Sequence, residues 1–128
     1  VGEDAEGRLA DADLRRRIAE NAIELAAVQL TNRRVATETK GNAGPSAASS
    51  ILKNANAKAA QDRVELLIEA MGAQGLGWDG ADYSEDEREA VREWLAGKAA
   101  SIYSGSHEIQ NNIISKRILG LPDATPAR

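Results

Sequence analysis

The sequence predicts an all-α fold of four helices. Three observations carry that expectation. Of the 128 residues, 24 are alanine, the strongest helix former. Apolar residues recur at helical spacing, with no period-two alternation to suggest a strand. Cap and stop residues stand at the ends of each apolar stretch. The remaining apolar residues are few for a core: 11 Leu, 9 Ile, 5 Val and 1 Met, with four aromatics, Trp78, Tyr83, Trp94 and Tyr103. Small side chains each remove little area from water, at roughly 25 cal/mol per Å². Thin helices of this kind lean on other surfaces, in the same protein or in a partner.

Residues 1–10 carry glycine and acids without periodicity and read as a polar tail or the end of a loop. The first helix starts at Asp11 or Asp13, either of which can cap it, and runs to about Thr39. Leu14, Ile18, Leu25 and Val28 form one stripe, and Ile23 and Leu30 fall nearly opposite. A helix lying on a surface needs one stripe. Two stripes predict contact with two layers, as in the middle of a bundle.

Residues 40–46, KGNAGPS, are a loop by composition. The second helix starts near Pro45 or Ser46 and runs to about Met71. Ile51, Ala55, Ala59 and Leu66 share one face and Val64, Leu67 and Met71 another, again two buried sides. Residues 72–83, GAQGLGWDGADY, are the longest irregular segment. Ser84 opens the third helix, with Glu87 completing a capping box and Glu85 and Asp86 suiting the positive helix end. Val91, Trp94 and Leu95 mark its apolar face, and it is expected to continue to Ile102. After a break at Tyr103-Ser104-Gly105, Ser106 caps the fourth helix. Ile109, Ile113, Ile114 and Ile118 read as core, and Gly120 and Pro122 end the helix. The organisation is therefore a tail at 1–10, one helical domain at 11–122 and a tail at 123–128.

Composition excludes several functions. With 16 basic and 20 acidic residues the net charge is −4, which argues against a general nucleic-acid binder. There is no cysteine, so no disulfide, thiolate metal site or cysteine nucleophile. The one histidine, His107, excludes a multi-histidine metal site from this chain alone. No apolar run approaches the roughly 18 residues of a membrane span. The acidic start, Val1 to Asp13, does not read as a secretory signal, and a cytoplasmic setting is the default expectation.

Little in the residues alone points to chemistry. No Walker loop or GxGxxG is present. His107 beside Glu108 suggests acid–base work or, more simply, a solvated helix start. Arg15-Arg16-Arg17 and Arg33-Arg34 can hold phosphates or, more simply, pair with acids such as Glu20 and Glu24. Trp78 and Trp94 read as packing anchors. The Gly-Ala-Gln-Gly turn at 72–75 and the Ser-Gly-Ser cap at 104–106 place bare backbone N–H groups at helix ends, where anions and phosphates bind.

Residues 101–122, SIYSGSHEIQNNIISKRILGLP, resemble the C-terminal signature of the acyl-CoA dehydrogenases, IYxG[ST]xEIQxNIIAxRxLGLP. The EAMGAQGL stretch at 69–76 is similar to the family's QxxGGxG turn, and the first helix is similar to the helix that precedes it. The likeness covers about residues 9–122. It implies an up-down helical bundle, the third part of a flavoenzyme that desaturates acyl-CoA thioesters at Cα–Cβ, without the bundle's first helix, which would lie before Val1. It implies FAD shared with other domains or subunits, and partners that are other subunits of the family, in a dimer or tetramer, homo- or heteromeric. No nucleic-acid or membrane partner is implied.

Carried over residue by residue, the family's turn toward the adenosine and pyrophosphate of FAD corresponds to Glu69, Met71, Gly72 and Ala73. Glu69 stands where the family has Gln, and Ala73 where it has a second Gly. The cap that touches FAD corresponds to Ser106, His107 and Glu108. One wall of the acyl pocket corresponds to Tyr103, Ser104 and Gly105. Ser104 occupies the position where much of the family keeps its catalytic glutamate, so no catalytic residue is assigned. Either the base lies elsewhere, or the chain is a non-catalytic partner that assembles with a catalytic subunit.

Overall fold

The computed structural model describes residues 1–38 and 48–122. Four α-helices are present: α1 (Ala12–Glu38), α2 (Ala48–Met71), α3 (Glu85–Gly97) and α4 (His107–Arg117). Short 3₁₀ turns follow α2, at Gly72–Leu76, and α3, at Lys98–Ser101. No strand occurs among the described residues; one isolated antiparallel bridge, Glu3 to Leu9, closes a small loop before α1. None of the described helices is long and apolar enough to cross a membrane.

The caps follow the local chemistry. Asp11, not Asp13, caps α1: its Oδ1 accepts from the Leu14 amide at 2.9 Å. Asp13 instead accepts from the Arg16 guanidinium at 2.7 Å. At α3 the Ser84 Oγ accepts from the Glu87 amide at 3.2 Å while Glu87 accepts from the Ser84 amide at 2.7 Å, a complete capping box. The predicted start of α2 at Pro45 or Ser46 lies outside the described residues, as does the 123–128 tail.

Helix α2 is the centre: α1, α3 and α4 each pack on it. Arg17 bonds Glu69, Asn21 bonds Ala59 and Asn32 bonds Asn56, so α1 and α2 run antiparallel. The α1 seam is Leu14, Asn21 and Val28, spaced by seven, all buried. The Asn21 amide donates to the Ala59 carbonyl at 3.0 Å, so the polar residue in this seam is satisfied. On α2 the buried set is Ser50, Leu52, Ala57, Ala59, Val64 and Leu66; Ala90 and Val91 cover it from α3. Ala57 and Ala59 let neighbouring helices approach α2 closely.

Four expectations are corrected. The second stripe of α1 is uncovered within this chain, with Ile23 and Leu30 70% and 63% exposed, while each predicted face of α2 is covered only in part: Ala59, Leu66 and Val64 are buried, Ile51 and Leu67 exposed. The isoleucines of α4 do not form a core; none of the α4 residues is buried, and Ile109 is exposed. Among the described helices the main packing partner of α4 is α2. Helix α3 ends at Gly97 rather than Ile102, because Gln61 draws the Gly97 and Lys98 carbonyls toward α2 and the chain tightens into a 3₁₀ turn. Trp78 is exposed rather than an anchor, with Arg92 5.6 Å from its ring centroid.

Candidate functional site

Two places at opposite ends of α2 gather the residues singled out above. The first is the C-terminal end of α2. Glu69 lies in its last turn and forms a two-pronged pair with Arg17 of α1, at 2.8 and 2.5 Å. That guanidinium holds the Glu69 carboxyl below its ordinary range. Glu69 therefore meets its surroundings as half of a neutral pair, which a bare carboxylate would not do. Met71 is half-buried and closes the helix. Gly72 follows at φ +61°, a left-handed conformation that favours glycine, and Ala73 is exposed beyond it. The Val1 nitrogen reaches the Ala70 carbonyl at 2.8 Å, so the loop of residues 1–10 lies beside this turn. Arg16 pairs with Asp13 and Glu20, which accounts for most of the arginine run as ion pairing.

The second place is the corner leading into α4. Ser104 has φ +56° and Gly105 φ +92°. Among the described residues Ser104 is the one non-glycine with positive φ. Such a residue persists only when its surroundings over-determine it, and these residues cluster at functional sites. The Ser104 carbonyl accepts from the Gln110 side-chain amide at 2.8 Å. At this φ an L side chain at 105 is strained, and a Cβ there would stand 2.7 Å from that amide nitrogen, which would have to move. Ser106 caps α4 through a long bond from the Ile109 amide, 3.5 Å. Tyr103 and Ser104 are exposed.

Charge gathers at this corner. The Ser106 hydroxyl and the residue's own amide hold the Glu108 carboxyl below its ordinary range, with His107 and Lys53 adding to the effect. The Lys53 Nζ, the His107 Nε2 and the Asn54 Oδ1 are buried without a hydrogen-bond partner among the described residues. Asn54 also donates to Asn111 of α4 at 3.0 Å, which fixes this part of α2 against α4. A buried ammonium and a buried imidazole nitrogen beside a helix N-terminus make a donor set for an anionic ligand such as a phosphate.

The structure does not bring the two places together. From Lys53 to Met71, α2 rises by about 27 Å at roughly 1.5 Å per residue. Glu69, Met71, Gly72 and Ala73 sit at one end, while Tyr103, Ser104, Gly105, Ser106, His107 and Glu108 sit at the other. Sequence reasoning passes over Lys53 and Gln110, and it names Arg17 within the arginine run without its partner Glu69. Gln110 stood inside the quoted signature, but its target is a carbonyl six residues back that only the reversed backbone exposes. Lys53 carried no signal, since a lone lysine on a helix reads as solvated.

Comparison with known proteins follows the same lines. Residues 3–119 match the family described as acyl-CoA dehydrogenase, C-terminal domain. The acyl-CoA dehydrogenase IpdE1 of Mycolicibacterium smegmatis is 40% identical over 58 residues, 45% of this chain and 14% of that protein. IpdE1 of Mycobacterium tuberculosis is similar to the same extent. Among solved structures, the crystal structure of the ChsE4-ChsE5 complex from Mycobacterium tuberculosis is similar in fold, with a TM-score of 0.77 at 24% identity. That likeness covers 97% of this chain and 32% of the solved one. The matched stretches are thus a minor part of each relative's own length.

Proposed function

Since the chain belongs to the acyl-CoA dehydrogenase family and matches its C-terminal domain, we propose that it forms the helical part of an FAD-dependent enzyme that desaturates acyl-CoA thioesters at Cα–Cβ. The setting is lipid metabolism in the cytoplasm. The single observation that carries this reading is the corner at residues 103–108. There a strained backbone, a serine cap and the Lys53 and His107 nitrogens, without a hydrogen-bond partner among the described residues, meet at one helix start.

The residues present suit the cofactor. Lys53, Ser106 and His107 supply a cation and hydrogen-bond donors for its phosphates at one end of α2. At the other end the Gly72 turn offers bare backbone, and Arg17 removes the repulsion Glu69 would otherwise exert. Because the ends are far apart, each serves a different flavin, one held mainly by a neighbouring subunit. When bound, FAD supplies the acceptor for the hydride that leaves Cβ. The chain's own tasks are to bind, orient and exclude water. Tyr103, Ser104 and Gly105 form one wall for the acyl thioester. The uncovered stripes of α1 and α2, with Ile23, Leu30, Ile51 and Leu67, bury against other subunits of the family.

Ser104 favours a second reading. A serine hydroxyl with no base beside it does not remove an α-proton at neutral pH. Glu108 is one turn further on, committed to the Ser106 cap and ionised. The base then stands elsewhere in the enzyme, or this chain is a non-catalytic partner of a catalytic subunit.

The test is the flavin absorbance and mass of the purified chain, alone and mixed with candidate catalytic subunits, for the natural sequence and for Lys53→Met and Gly72→Val. Flavin retained in the larger complex and diminished by both substitutions supports the shared site. Full retention in both variants refutes it. Flavin without any assembly refutes the subunit-sharing part.

A further inference from the structure

We propose that Gln110 is the positioning residue of the acyl-thioester wall; the proposal rests on the assignment of Tyr103, Ser104 and Gly105 to that wall. Two successive residues with positive φ form a corner that an L-residue such as Ser104 disfavours. Something must hold it there, and the Gln110 side chain does so: its amide donates to the Ser104 carbonyl at 2.8 Å.

The side-chain amide also fills the space that a Cβ on Gly105 would need. Glycine at 105 and glutamine at 110 are therefore one device: the absent side chain admits the amide, and the amide fixes the carbonyl. On the other flank the Tyr103 amide donates to the Ala99 carbonyl at 3.0 Å. With the backbone held from both sides, the exposed side chains of Tyr103 and Ser104 have a set direction. That is the preorganisation a binding wall requires.

The experiment uses the flavin-loaded enzyme that contains this chain, with octanoyl-CoA as the probe. Gln110→Met keeps length and bulk but removes the donor. Gln110→Glu puts an acceptor against the Ser104 carbonyl. Acyl-CoA affinity is read from the perturbation of the flavin spectrum, and backbone hydrogen exchange is read at residues 104–106. The expected result for Gln110→Met is an affinity loss of about five- to tenfold, the worth of one net hydrogen bond, at unchanged flavin content and with faster exchange at the corner. Gln110→Glu loses more. A side chain that only fills space predicts that Met matches the natural residue, and unchanged affinity and exchange in Gln110→Met overturn the proposal. Should Gln110→Glu fail to fold, Gln110→Met decides alone. Faster exchange with unchanged affinity leaves the clamp standing and removes the wall. A natural enzyme that shows no response to the probe removes the wall assignment, and exchange at residues 104–106 in Gln110→Met then decides the clamp alone.

Discussion

Leu14→Ala tests whether α1 is held on α2 by the seam the structure shows. Leu14 is 1% exposed, the largest fully buried side chain among the described residues. The substitution deletes three carbons, worth about 2.4 kcal/mol at roughly 0.8 kcal/mol each. The unfilled space adds to this, so the expected loss is about 3–4 kcal/mol. Domains of this size have only about 5–15 kcal/mol in total, so the effect is large. Two controls locate it. Ile113→Ala, on half-buried α4, should cost about 1–2 kcal/mol, and Ile23→Ala, 70% exposed, close to nothing in the isolated chain. The assay is urea unfolding followed by far-ultraviolet circular dichroism, with the denaturant slope checked for constancy. A Leu14→Ala loss below about 1 kcal/mol, or an Ile23→Ala loss that equals it, refutes the packing order. Arg17 stands one turn on from Leu14. Loosening the seam should also weaken the Arg17–Glu69 pair and, on the proposed reading, flavin retention at that end of α2.

Three further outcomes are expected. Ser84→Ala opens the α3 capping box and should lower stability by about 1 kcal/mol, read by thermal unfolding; no change would mean the box is idle. Asp13 and Glu69 have depressed carboxyl pKa values in the folded chain, mainly through hydrogen bonds from Arg16 and Arg17, so their contribution is complete above the unfolded values of 3.8 and 4.5 and disappears as pH falls through the folded ones. Unfolding midpoints should therefore fall on acidification below about pH 4.5, less steeply in Glu69→Gln and less steeply in high salt; an identical acid slope in Glu69→Gln contradicts the assignment. Ser104→Glu places a carboxylate at the corner and, in an assembled flavoenzyme that lacks a base on this subunit, should bring turnover where there was none. If turnover is already present and Ser104→Glu leaves it unchanged, the base stands elsewhere.

Local signals were read correctly where the physics is local. The Ser84 capping box and the Ser106 cap each need only a hydroxyl, an amide three residues on and a non-helical cap residue, all set within a few positions. The end of α3 was misjudged because the reason is distant: Gln61, more than thirty residues earlier, takes the carbonyls that a continuing helix would use. The α4 isoleucines were misjudged because periodicity reports which face is apolar but not whether anything covers it. The Arg17–Glu69 pair spans 52 positions, so the altered charge of a predicted flavin contact was invisible in the sequence.

The sequence by itself determined four helices, the capped starts of α3 and α4 and a family signature at residues 101–122. These depend on residue type and short spacing, which the chain carries wherever it folds. Tertiary structure alone decided the rest. Packing on α2 set the two candidate flavin-facing places about 27 Å apart, since a straight helix separates its ends by its length. The reversed backbone at Ser104 and Gly105 turned a carbonyl toward Gln110, and packing between α2 and α4 left the nitrogens of Lys53 and His107 without a hydrogen-bond partner among the described residues. Distance, burial and backbone direction are properties of the packed chain, fixed only when helices distant in sequence meet.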